Sequence, residues 1–132
     1  MTEAADSRNL FDLSGKVAVV TGGSRGLGRE MVLAVAHAGA DVVTASRKAE
    51  ACEALAAEVV EATGRRALAH PCHVGKWDEV GGLAQAAIAE FGRVDILVNN
   101  AGMSPLYASL GEISEELWDK VIDVNLKGPF RL

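Results

Sequence analysis

The sequence predicts a doubly wound α/β fold, a parallel sheet with helices on both faces, and three observations carry that prediction. Short β-branched runs alternate with longer segments of helical apolar spacing. A glycine cluster follows the first run directly, and Gly39 and Gly64 stand just past the first two helical segments. Strands that alternate with helices need crossover connections, which run successive strands parallel and pack helices on either side.

Each element follows from its residues. Residues 16–21 form a buried strand, because Val17, Ala18, Val19 and Val20 make the continuous apolar run of a sheet covered on both faces, and Gly22, Gly23 and Ser24 end it. A helix over residues 26–38 is expected to turn Leu27, Met31, Ala34, Val35 and Ala38 inward. Residues 41–46 repeat the strand. Residues 49–63 repeat the helix, with Cys52, Leu55, Val59 and Ala62 on one face and Glu50, Glu53, Glu58 and Glu61 mostly off it. A third strand lies within residues 66–74, and a third helix over 76–91 directs Trp77, Val80, Ala84, Ala87, Ile88 and Phe91 inward. A fourth strand spans 94–99, its apolar run interrupted by Asp95 alone. A loop carrying Gly102, Pro105 and Gly111 then leads to a last helix. Ser114 caps it, and Glu115 and Glu116 sit in the first turn, where the helix dipole favours acids. The apolar residues Leu117, Trp118, Val121, Val124 and Leu126 continue toward Phe130 and Leu132 with no stop signal.

Composition narrows the class. At 132 residues and 49% hydrophobic content the chain can bury one core. No linker or repeat divides it, so residues 1–132 are expected to form one domain with 1–12 as a leader. A net charge of -5 with acids and bases interspersed provides no basic stripe for a nucleic-acid backbone. The apolar runs fall short of the ~20 residues of a membrane helix, and residues 1–10 are too polar for a signal sequence. A soluble cytoplasmic protein is expected. Cys52 and Cys72 lack zinc-ligand spacing and are expected to be reduced and structural.

The glycine cluster carries the chemistry. Thr21-Gly22-Gly23-Ser24-Arg25-Gly26-Leu27-Gly28 lies between the first strand and the first helix. There, in a Rossmann-type sheet, glycines let the backbone approach a pyrophosphate and the helix N-terminus offers it unpaired N–H groups. The bland alternative is a plain strand-to-helix connection. The spacing is T-G-x-x-x-G-x-G rather than G-x-G-x-x-G, and in this it resembles the short-chain dehydrogenase/reductase family. Asn99-Asn100-Ala101-Gly102 after the fourth strand, Asp95 before it, and Asn125 within Val124-Asn125-Leu126-Lys127-Gly128 strengthen the resemblance, which covers the chain from about Leu10 to Leu132. It implies a cofactor held by Gly22, Ser24, Arg25, Gly26, Leu27, Gly28, Val74, Asn100, Ala101 and Gly102.

The residue ending the second strand selects between dinucleotides, because an acid there holds the ribose hydroxyls of NAD. Here that residue is Ser46, followed by Arg47 and Lys48, with Arg25 inside the glycine turn. At ~4 Å a carboxylate would repel a phosphate by about 4 kcal/mol per unit charge at an effective dielectric of about 20. An arginine there gains about 1.5 to 3 kcal/mol from a charge-assisted hydrogen bond. NADP(H) is therefore expected ahead of NAD(H), the alternative being that Arg47 and Lys48 are a solvated helix start.

The stretch His70-Pro71-Cys72-His73 is not expected to bind metal, since strand alternation puts His70 and Cys72 on one face and His73 on the other. By resemblance His73 stands where the family often carries an Asp that contacts the adenine amino group. This departure leaves His73 to accept a hydrogen bond or stack there. The family's Tyr-x-x-x-Lys and its Ser are absent: the one tyrosine, Tyr107, has Gly111 four residues on. Of the catalytic group only Asn125 is present, resembling the asparagine that bends its helix and holds a water in the proton relay. The alternative for Asn125 is a polar helix residue satisfied locally.

The resemblance thus implies the cofactor-binding part of an NADP(H)-dependent oxidoreductase that interconverts a carbonyl and an alcohol, truncated after the fourth strand and following helix, inactive alone and homo-oligomeric when full length. Relatives of this kind include 3-oxoacyl-carrier-protein reductases and sugar or polyol dehydrogenases, and the sequence does not choose among them. A non-catalytic dinucleotide-binding module is the alternative. An apolar edge at Ile96 to Val98 is expected to lie open to pairing.

Overall fold

A computed structural model describes residues 10–132; residues 1–9 of the expected leader lie outside it. β1 (Val17–Thr21) is buried along its whole length and pairs in parallel with β2 (Asp41–Ser46) on one side and β4 (Ile96–Val98) on the other. β2 in turn pairs with β3 (Ala67–Pro71), giving the order β3-β2-β1-β4. Because side chains alternate along a strand, β1 and β2 feed two cores. Ala18, Val20 and Val42 pack with Val32 and Ala36 of α1 (Gly26–His37) and with Leu55 and Val59 of α2 (Ala49–Thr63). Val19, Val43 and Ala45 pack on the opposite face with Val80, Leu83 and Ala87 of α3 (Trp77–Phe91). The result is the Rossmann-like, doubly wound sheet that the alternation of elements predicts.

Several expectations need correction. α1 buries Gly28, Val32 and Ala36. Leu27 is 75% exposed and Ala34 is exposed as well. Gly28, Val32 and Ala36, spaced four apart, form the fully buried stripe because close packing of Gly28 on the glycine turn fixes the helix's rotation, while Met31 and Val35 pack partly buried against the same core as expected. α2 follows the prediction at Cys52, Leu55 and Val59, but Ala62 is exposed and Ala56 takes a buried place. In α3 Leu83 is buried instead of Trp77 and Ile88, which stand 46% and 50% exposed. Trp77 stacks against Phe130 at 6.5 Å between ring centroids and lies under the Arg131 guanidinium at 4.7 Å.

β4 is shorter than its apolar run. Asp95 aligns it: its N–H donates to the Val17 carbonyl (2.9 Å) and its Oδ2 accepts from Val17 N (2.9 Å). Gly39 and Gly64 take left-handed conformations (φ +107° and +67°) where the chain leaves α1 and α2. The last helix is not continuous. α4 (Glu115–Ile122), capped by Ser114 Oγ accepting from Leu117 N at 3.1 Å, passes into a π-helical turn, Asp123–Lys127, before α5 (Gly128–Arg131). No helix among the described residues is long and apolar enough to cross a membrane.

Candidate functional site

The sheet grows from β1 through β2 to β3, and β4 then starts on β1's other side, so a crevice opens between β1 and β4 at the C-terminal ends of the strands. Thr21, 1% exposed, accepts at Oγ1 from Asn100 N (3.2 Å) and Ala101 N (3.1 Å). Asn100 Nδ2 donates to the carbonyls of Thr21 (3.1 Å) and Gly22 (3.2 Å). These bonds lock the glycine turn to the loop after β4 and occupy the Asn100 amide nitrogen. Gly22 has φ +62°, and a Cβ there would stand 2.9 Å from Asn100 Nδ2. A Cβ on Gly28 would collide with the Gly22 carbonyl oxygen. Glycine at both positions therefore seats the start of α1 directly on the turn. Arg25 is the N-cap residue, and no side chain caps the helix. The first N–H groups of an α-helix have no intrahelical acceptor, and with the helix dipole they make a place for an anion.

A cleft of about 490 Å³ lies over this turn. Gly22, Arg25 and Arg47 line it from the ends of β1 and β2, His73 and Val74 from the end of β3, and Ala101 and Gly102 from the loop after β4. Ser24, Gly26, Leu27, Gly28, Ser46, Lys48 and Asn100 belong to the same turns but do not line it. Ser46 Oγ sits 3.1 Å from Cys52 Sγ and 3.4 Å from Lys48 N. Asn125 faces a second, largely apolar cavity of about 390 Å³, shared with Met103, Tyr107 and Trp118. Its amide spans the loop after β4: Oδ1 accepts from Met103 N (2.8 Å) and Nδ2 donates to Met103 O (2.7 Å). The asparagine thus holds a residue distant in sequence, at the centre of a π turn, a distortion frequent at functional sites.

Sequence reasoning missed the cleft residues Cys72, Gly75, Met103, Lys120, Asp123 and Val124. The last three come from α4 and the π turn, and no local pattern reveals which strand ends that helix crosses. Asp123 pairs with Lys127 (2.7 Å) and Lys120 with Glu116 (2.8 Å). Burial, with a smaller contribution from Glu79, pushes the Cys72 thiol up to about 11, so it stays protonated and is no nucleophile. His73 donates its N–H to Glu79 Oε2 (2.7 Å) and accepts at Nδ1 from Gly75 N (3.0 Å). The bond from His73 N, then that from Lys76, holds the Glu79 carboxyl below its ordinary value. Among the described residues no three His, Cys, Asp or Glu side chains converge.

A parallel sheet with an uncapped helix start on a glycine turn at its switch point defines a Rossmann-type α/β protein. More particularly, the chain belongs to the short chain dehydrogenase family, which matches it over residues 16–132. It is 46% identical over 122 residues to the 2-dehydro-3-deoxy-D-gluconate 5-dehydrogenase of Escherichia coli, covering 92% of this chain and 47% of that one. Among solved structures it is similar to a metagenomic short-chain oxidoreductase in complex with NADP (TM-score 0.85, 41% identity, covering 91% of this chain and 54% of that one). It is also similar to the L-sorbose reductase of Gluconobacter frateurii complexed with NADPH and L-sorbose (TM-score 0.88, 31% identity, 92% and 46% covered). The chain spans about half the length of the curated relatives it matches.

Proposed function

We propose that residues 1–132 form the NAD(P)-binding portion of an NADP(H)-dependent oxidoreductase that interconverts a carbonyl and an alcohol. The observation that carries this reading is the placement of two arginines, Arg25 and Arg47, in the cleft beside the uncapped start of α1, with Ser46 where an acid would favour NAD. Among the described residues the one carboxylate lining the cleft, Asp123, is paired with Lys127. The turn fits a pyrophosphate, since a Cβ at Gly22 or Gly28 would collide with Asn100 or the Gly22 carbonyl and push the turn out of the shape that presents its N–H groups.

In this reading the backbone of Gly22, Ser24, Gly26, Leu27 and Gly28 receives the pyrophosphate. Arg25, Ser46, Arg47 and Lys48 receive the 2′-phosphate, His73 and Val74 flank the adenine, and Asn100, Ala101 and Gly102 border the nicotinamide side. When bound, the cofactor supplies hydride chemistry. Asn125 acts as a positioning residue: by clamping Met103 to the π turn it fixes the floor between the cleft and the second cavity. The NADP and NADPH in two similar structures support the cofactor assignment.

The test is to incubate the full-length protein with NADPH and a panel of small ketones and ketosugars while following the absorbance of the reduced nicotinamide. Consumption that requires a carbonyl and runs faster with NADPH than NADH is expected. A protein that binds neither dinucleotide and consumes neither would overturn the proposal.

A further inference from the structure

We propose that His73 reads the base of the bound dinucleotide as a hydrogen-bond donor, so that this site accepts hypoxanthine in place of adenine with little loss. The inference rests on the reading of the cleft as an NADP(H) site. The adenosine half of a dinucleotide lies over the β1-β2-β3 side of such a sheet and the nicotinamide half over the β4 side. Arg47, after β2, and His73, two residues past β3, both line the cleft on that first side. His73 is therefore placed on the base side of the cleft, the side that also carries the arginine assigned to the ribose phosphate.

Its two ring nitrogens are not equivalent. Nδ1 accepts the Gly75 N–H at 3.0 Å, and a nitrogen that accepts an N–H carries no proton of its own. The neutral ring must then carry its proton on Nε2. The ring is fixed in place. His73 N is tied to Glu79 at 2.7 Å, and a Cβ at Gly75 would stand 3.0 Å from His73 Cε1 and 3.0 Å from Val124 Cγ2, so the imidazole lies against Gly75 on the wall of the cleft. No partner for Nε2 is found among the described residues. On a ring that lines the cleft, Nε2–H is thus a donor left for a base, where the sequence allowed His73 to accept a hydrogen bond or stack.

A donor cannot pair with the exocyclic amino group of adenine, which is itself a donor, but it can pair with a ring nitrogen of adenine or with the O6 or N7 acceptors of hypoxanthine. A carboxylate at this position would behave in the opposite way, accepting from the amino group and repelling O6. Selectivity for the base follows from such unpaired or mismatched polar groups.

The experiment measures equilibrium binding of NADPH and of its hypoxanthine analogue, nicotinamide hypoxanthine dinucleotide phosphate (reduced), to the full-length protein and to His73→Asn and His73→Asp. The wild type is expected to bind the two within about threefold. H73N, whose Oδ1 can accept from Gly75 N and whose Nδ2 donates, should keep that ratio. H73D should prefer NADPH by about tenfold or more. Wild-type preference for NADPH of about tenfold or more would overturn the inference while leaving the cofactor assignment intact, and so would a ratio unchanged in H73D. Failure of the wild type to bind either compound would overturn the cofactor assignment and this inference with it. Should H73D not fold, the wild-type and H73N ratios decide the question alone.

Discussion

Arg25 and Arg47 approach the cleft from separate turns, and no carboxylate stands between them at Ser46. A partly exposed guanidinium on a phosphate gains on the order of 1.5 kcal/mol, so Arg47→Ala should weaken NADPH binding about tenfold and leave NADH unchanged, as calorimetry of both would reveal. Asp95 illustrates a residue whose role is structural. Arg93, and then the Val17 N–H, hold its carboxyl below the ordinary range. A group whose folded pKa is depressed stabilises the fold above its unfolded value, about 3.9, and loses that contribution as pH falls through the lower folded value. Asp95→Asn should therefore lower Tm at neutral pH, and the difference from wild type should shrink as the pH drops below the carboxylate range. That β2 ends at Ser46 with Arg47 and Lys48 after it was legible in the sequence, because a strand end followed by charges is a local signal. The partner of Asn125 was not, since Met103 lies 22 residues away and only the fold brings the two together. The proton position on His73 was equally hidden, because it depends on where Gly75 N points after the turn.

Among the elements, α1 shows what periodicity can and cannot tell. Its extent was readable from the glycine turn before it and Gly39 after it, but its rotation was not. Apolar size argued for Leu27 inward, whereas the small stripe Gly28, Val32 and Ala36 lets the helix sit close to the sheet. That packing has a direct test. Gly28→Ala would force a methyl group against the Gly22 carbonyl, a backbone atom that cannot step aside, and overpacking of this kind costs about 1 to 3 kcal/mol. Denaturant unfolding should register that loss, and dinucleotide binding should fail with it, because the same contact shapes the turn proposed to receive the pyrophosphate. α4 was anticipated through its cap. Removing the Ser114 hydroxyl in Ser114→Ala leaves Leu117 N without its partner and should cost about 1 kcal/mol in the same measurement. The π turn that follows was foreshadowed only as a bend at Asn125, by resemblance, since apolar spacing through Val124 and Leu126 reads as uninterrupted helix.

At the scale of the molecule, the alternation of strand and helix was enough to predict a parallel sheet covered on both faces, and the two cores bear that out. Strand order was not in the local pattern: the return of β4 to the far side of β1 is a topological fact, and it is what opens the crevice over the glycine turn. It also leaves β4, with Leu97 38% exposed, paired only to β1 among the described strands. An open apolar edge recruits other strands. Expressed as these 132 residues alone, the chain should therefore self-associate, with sedimentation showing larger species as concentration rises; a monomer at every concentration would refute this. The central claim, that the cleft is built for a 2′-phosphorylated dinucleotide, is tested most directly by titrating the full-length protein with NADPH and NADH at one ionic strength. NADPH should bind at least about tenfold more tightly, with the gap closing in Arg47→Ala. Equal affinities, or tighter binding of NADH, would contradict it.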